Sequence, residues 1–111
     1  MNSNSSETII LVLTTESDLE KAEKLARLLL KKNYAICISF KETESLYWWK
    51  GNLERSKEVE LLIKTRNDLL ENLLKAIHKI HSYETPELIF WRANASNKYI
   101  KWSLEEIPWL D

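Results

Sequence analysis

The chain contains a single glycine, Gly51, set in Lys50-Gly51-Asn52. Few features constrain a fold more, because glycine alone enters left-handed backbone conformations without steric cost. Dinucleotide loops of the G-x-G-x-x-G type, Walker loops and other glycine-rich phosphate cradles need several such positions and are excluded. Collagen-like and low-complexity architectures fall for the same reason. Almost every other residue must then sit in a helix, a strand or a turn that tolerates a side chain. Gly51 marks the one permissive joint, so it is placed at a hairpin tip with a positive φ.

The remaining composition narrows the function classes. A length of 111 residues suits one domain with little surplus core. The net charge is −1, with Lys and Arg scattered, so no basic surface for nucleic acid or anionic membrane is expected. Cys37 is the only cysteine. An internal disulfide and a multi-thiolate zinc site within one chain are therefore excluded, and a reducing, cytoplasmic setting is expected. The polar start lacks the apolar stretch of a signal peptide, and no apolar run is long enough to span a bilayer. No cofactor is expected to be required for folding.

The order of elements follows from periodicity. Residues 1–7 read as a disordered polar tail, and 8–111 as a single domain. Ile9 to Leu13 is an unbroken apolar run and predicts a central strand. Ser17 and Glu20 have capping-box spacing. Ala22, Leu25, Ala26 and Leu29 then predict a helix ending at Asn33. A second strand is expected from Tyr34 to Phe40, and Ser45 to Trp49 is extended. A return strand from Leu53 is strongest at Val59 to Thr65. Asn67 is placed as the cap of a second helix, with Leu70, Leu73, Leu74 and Ile77 as its buried stripe. Leu88 to Trp91 is a last strand, and a short helix carries Tyr99, Ile100, Trp102 and Leu104 before Pro108. This β-α-β-β-α-β order is the α+β, ferredoxin-like sandwich, with a long β-hairpin arm and a short C-terminal helix. Two long helices cover one sheet face, yet the first and last strands are apolar on both. Another subunit is therefore expected over the open face, and the aromatics Tyr47, Trp48 and Trp49 fit an interface.

Several stretches taken in order carry a family resemblance. They are Leu13-Thr14-Thr15, Ala35-Ile36-Cys37-Ile38, Ser45-Leu46-Tyr47-Trp48-Trp49-Lys50-Gly51, Glu58-Val59-Glu60-Leu61-Leu62-Ile63-Lys64-Thr65, His81-Ser82-Tyr83-Glu84-Thr85-Pro86-Glu87 and Tyr99-Ile100-Lys101-Trp102. Together they resemble the CutA divalent-ion-tolerance family over nearly the whole chain. The resemblance implies a cytoplasmic homotrimer with hairpins pairing across subunits. It also implies binding of copper or another divalent metal ion, and a part in metal tolerance. Three departures stand out. Ser82 replaces the usual Pro, implying a less rigid turn. Ser39 to Thr43 lacks the usual Pro-Gly turn, which changes the bend before the arm. No second Cys stands near Thr14, which removes a soft ligand.

Cys37 and His81 are the positions the resemblance connects with metal, and thiolate and imidazole suit copper or zinc. Glu87 is a candidate to complete such a site. A mid-strand Cys is more often a small buried apolar group, and His81 also suits a helix C-terminal cap. Tyr47, Trp49, Gly51, Lys64, Tyr83 and Trp102 are candidates for an intersubunit pocket or interface, with plain packing as the bland alternative. Both histidines fall on one helix, and neither a G-x-S-x-G elbow nor an H-E-x-x-H is present, so no enzyme is expected. The other reading is a trimeric small-ligand sensor, related in architecture to the PII regulators, with ligand in clefts between subunits.

Overall fold

The computed structural model describes residues 8–106. The polar start, Pro108 and Trp109 lie outside them. The apolar run at Ile9 becomes β1 (Thr8–Glu16), followed by α1 (Leu19–Lys31), β2 (Cys37–Trp49) and β3 (Asn52–Thr65). A 3₁₀ turn (Asn67–Leu69) leads into α2 (Leu70–Ile80), then β4 (Ile89–Asn94) and α3 (Asn97–Glu106). The four strands form one antiparallel sheet in the order β2-β3-β1-β4, the ferredoxin-like arrangement.

Strand alternation sorts β1 between the two faces. Ile10 and Val12 join Val59, Leu61 and Ile63 of β3 beneath the helices, where Leu25, Leu29, Leu73 and Ile77 close the core. Leu11 pairs with Trp91 and Leu13 with Ile89, so these four side chains share the other face. Trp91 and Ile89 remain 43% and 50% exposed.

Local signals differ from expectation at both helix starts. Asp18, not Ser17, caps α1, its carboxylate accepting from the Lys21 N–H at 2.8 Å. Asn67 makes no side-chain cap; the chain tightens through the 3₁₀ turn and α2 begins at Leu70. There the Arg66 guanidinium clasps Asp68 instead. The end of α1 is as expected. Asn33 takes φ +60°, its N–H donates to the Leu30 carbonyl, and the Tyr34 N–H reaches back to Leu29. That is a Schellman closure with Asn in the left-handed position.

The hairpin ladder is longer than expected and unbroken. β2 starts at Cys37 and runs in constant register with β3 to the closing pair Trp49 and Asn52. Without a Pro-Gly turn, nothing interrupts the ladder at Ser39 to Thr43. Lys50 and Gly51 form the two-residue tip with φ +49° and +81°. Two positive φ values in succession match the right-handed twist of the flanking strands. Because β1 pairs with β3 only from Val59 onward, the distal half of the hairpin projects as an arm. The radius of gyration, 15.3 Å, accordingly exceeds the roughly 13 Å of a compact chain of this size.

Candidate functional site

The end of β1, the arm and the loop after α2 meet around two glutamates. Glu16 closes an apolar strand and is only 2% exposed. Its carboxylate accepts from the Ser82 N–H at 3.1 Å and from the Ser82 hydroxyl. The turn expected to loosen without Pro is thus pinned by two hydrogen bonds, one of them from an N–H that Pro lacks.

His81 ends α2 and turns inward, its side chain fully buried. Nδ1 accepts from the Tyr83 N–H at 3.0 Å and lies 3.5 Å from Glu16 Oε2. Nε2–H donates to the Thr15 carbonyl at 2.7 Å, with Thr14 Oγ1 at 3.2 Å. An acceptor role for Nδ1 and a donor role for Nε2 assign the proton to Nε2. Both nitrogens are occupied, so the ring acts as a clamp between α2 and β1.

Glu58, on β3, is the second anchor. It accepts from Ser45 at 2.6 Å and from the Tyr83 hydroxyl at 2.8 Å, one bond on each oxygen. Burial first, and then the Glu58 carboxylate, raise the Tyr83 phenol well above its usual range. Tyr83 therefore stays a neutral donor. Tyr47, two strand positions before the closing pair, shares a hydrogen bond with Ser56 at 2.7 Å.

Ser45, Tyr47, Glu58 and Tyr83 help bound a cleft of about 770 Å³ between the arm and the loop. Tyr47, Trp49 and Tyr83 supply aromatic walls, and Glu54, Glu58, Glu84 and Glu87 face it with carboxylates. The volume falls in the usual range for small-molecule sites.

The sequence model of the CutA1 divalent ion tolerance protein matches residues 10–106. The chain belongs to this family. The divalent-cation tolerance protein CutA of Pyrococcus horikoshii is 40% identical over 99 residues, covering 88% of this chain and 97% of that one. A crystal structure of Pyrococcus horikoshii CutA in 3 M guanidine hydrochloride superposes with a TM-score of 0.85 at 39% identity, covering 88% of this chain and 98% of that chain. The structure of the periplasmic divalent cation tolerance protein CutA from Archaeoglobus fulgidus gives a TM-score of 0.84 at 27% identity, covering 89% of this chain and 98% of that chain.

Within this CutA fold the sequence-derived candidates separate. The cleft gathers Tyr47, Trp49, Tyr83 and Glu87. Gly51 lies at the arm's tip, and Trp102 stacks on Tyr99 in α3 with centroids 5.7 Å apart. Cys37 pairs with Lys64 on the open face, and Cys37, after burial, helps raise the Tyr99 phenol. His81 contacts Thr14 on the helix face. Cys37 and His81 therefore stand on opposite faces of the sheet and do not form a joint site within one chain. Among the described residues, no three His, Cys, Asp or Glu side chains gather as a metal site. No helix of the described residues is long and apolar enough to cross a membrane.

Sequence reasoning named none of Glu16, Glu54 and Glu58 as a site residue, although Glu58 opens one of the family stretches. A signal existed for Glu16: a carboxylate placed directly after an apolar strand and two threonines must find partners if the strand is central. Glu58 faces the cleft because β3 continues past β1, a length that only the register reveals.

Proposed function

We propose that this CutA family member works as a cytoplasmic homotrimer in divalent-ion tolerance. The observation that carries the assembly is the apolar sheet face of Leu11, Leu13, Ile89 and Trp91, continued by an arm whose outer edges are unpaired among the described residues. A lone two-stranded hairpin is marginal in water, and exposed strand edges pair readily with other chains. Further copies of this chain supply both the cover and the pairing. Light scattering at micromolar concentration tests this: three chain masses are expected, and a monomer overturns it.

Copper or another divalent ion is then met by ligands drawn from more than one subunit, because Cys37, His81 and Glu87 do not converge within one; His81 joins them only by giving up its hydrogen bond to Tyr83 or to Thr15. Calorimetric titration with Cu(II) and Zn(II) tests the assignment through Cys37→Ser, His81→Ala and Glu87→Gln. Weakened binding in these variants is expected, and parental binding in all three removes these residues from the metal site.

A second reading is favoured by the aromatic-walled cleft: a small-ligand sensor whose ligand sits against the arm. A thermal-shift screen with metabolites of different charge tests it, since a ligand that binds only the folded state raises stability.

A further inference from the structure

The cleft's lining has an unusual charge balance. Its residues include Glu54, Glu58, Glu84 and Glu87 and no Lys or Arg. None of the four takes part in a salt bridge among the described residues. Glu58 is immobilised by Ser45 and Tyr83, which fixes one negative charge at the cleft's floor. Glu54, Glu84 and Glu87 are exposed and keep their oxygens available. Uncompensated carboxylates around a concave surface focus a negative potential and favour a cation.

The aromatic walls decide what kind of cation. In the single chain Trp49 is 59% exposed and Tyr47 40%, and the inference requires that the assembly leave these ring faces open. Trp49 already attracts a cation: Lys50 Nζ lies 5.6 Å from its ring centroid. A bare metal ion gains little from ring faces and needs several ligands at close range. Such a group is not formed among the described residues, and about 770 Å³ far exceeds one ion. An organic cation uses both features, with its charge on the carboxylates and its carbon body against Tyr47 and Trp49.

We propose that this cleft binds a small organic cation carrying an amine or guanidinium group. The inference rests on the reading of the cleft as a ligand site and names its ligand class. Glu54 and Glu87 take the charged head, Trp49 covers it, and the fixed Glu58–Tyr83 pair sets the depth.

The test uses calorimetry on the full chain in its native assembly. Agmatine and choline are the cationic probes, and a neutral amide and a dicarboxylate of similar size are controls. Cu(II) and Mg(II) are run as competitors. Saturable binding of a cationic probe is expected. Glu54→Gln, Glu87→Gln and Trp49→Ala should each weaken it at least about fivefold. Arg55→Gln, whose guanidinium pairs with Glu44 and does not line the cleft, should leave it unchanged. These substitutions are all at exposed positions, and an unchanged circular dichroism spectrum confirms folding. Binding that ignores all three cleft variants overturns the proposal. Displacement of the probe by Cu(II) or Mg(II) at the same residues assigns the cleft to metal and also overturns it. Binding of only the amide or dicarboxylate, lost in Trp49→Ala, keeps the cleft as a ligand site and removes the cation class. Binding of no probe at all removes both.

Discussion

The two faces of the sheet are built from similar side chains and meet different fates. β1 sends Ile10 and Val12 one way and Leu11 and Leu13 the other. On the first face Val12, Leu61 and Ile63 reach zero exposure beneath Leu29, Leu73 and Ile77. On the second face Ile89 and Trp91 stay about half exposed. A strand's composition states that both sides are to be buried. It does not state that the cover comes from the same chain. The covered face carries the fold of the subunit, and the open face is the one on which the proposed assembly rests.

Breaking the covered face should cost the most. Leu73→Ala removes a fully buried side chain and should lower unfolding stability by about 3 kcal/mol, read by urea titration. The open face should respond in a different observable. Trp91→Glu is expected to shift the assembly toward monomer in light scattering, with a far-UV spectrum that stays that of the parent. Equal loss of subunit folding in both variants would abolish the distinction.

Smaller effects sharpen it. Gly51→Ala meets no atom within 4 Å of its added Cβ, so its cost is conformational. A positive φ with a side chain should cost about 1–2 kcal/mol, and D-Ala at the same position should restore stability. Asp18→Ala removes the α1 cap on the covered side and should cost about 1 kcal/mol by thermal unfolding.

The smallest effect is a pH dependence. The Arg66 hydrogen bond, and after it the Arg66 charge, hold the Asp68 carboxyl below its ordinary value against the opposing effect of burial. A carboxyl lowered on folding adds stability above its unfolded value and loses it as pH falls through the folded one. Asp68 is 64% exposed, so screening limits the contribution to about 0.5 kcal/mol or less. Asp68→Asn should flatten the acid limb of the stability curve by that amount.

Much of this was legible along the chain. The strand and helix periods gave the order of the strands and α-helices, though not the unbroken ladder of β2 or the 3₁₀ turn, and Gly51 and Asn33 marked the two joints where φ turns positive. The departures were local and have local causes. Asp18 competed with Ser17 for the same cap and won because its carboxylate reaches the Lys21 N–H. Arg66 drew Asp68 into an ion pair, and the chain entered α2 through a 3₁₀ turn. The site was less legible. His81 was readable as inward-facing from its helical stripe. Its clamping role depends on Thr15 and Tyr83, one of them far away in sequence. Cys37 and Glu87 belong to motifs in the same chain, but β-strand alternation and the loop path send them to different places.

The sequence by itself determined the element order, the hairpin tip and the two-sided apolar character of the sheet, because these follow from periodicity and from the steric freedom of single residues. Tertiary structure alone decided the rest. The constant register of β2 and β3 carried the arm past β1 and set Glu54 and Glu58 opposite the loop of Glu84 and Glu87. Side-chain convergence depends on where strands end relative to one another, and that offset is fixed only when the sheet packs.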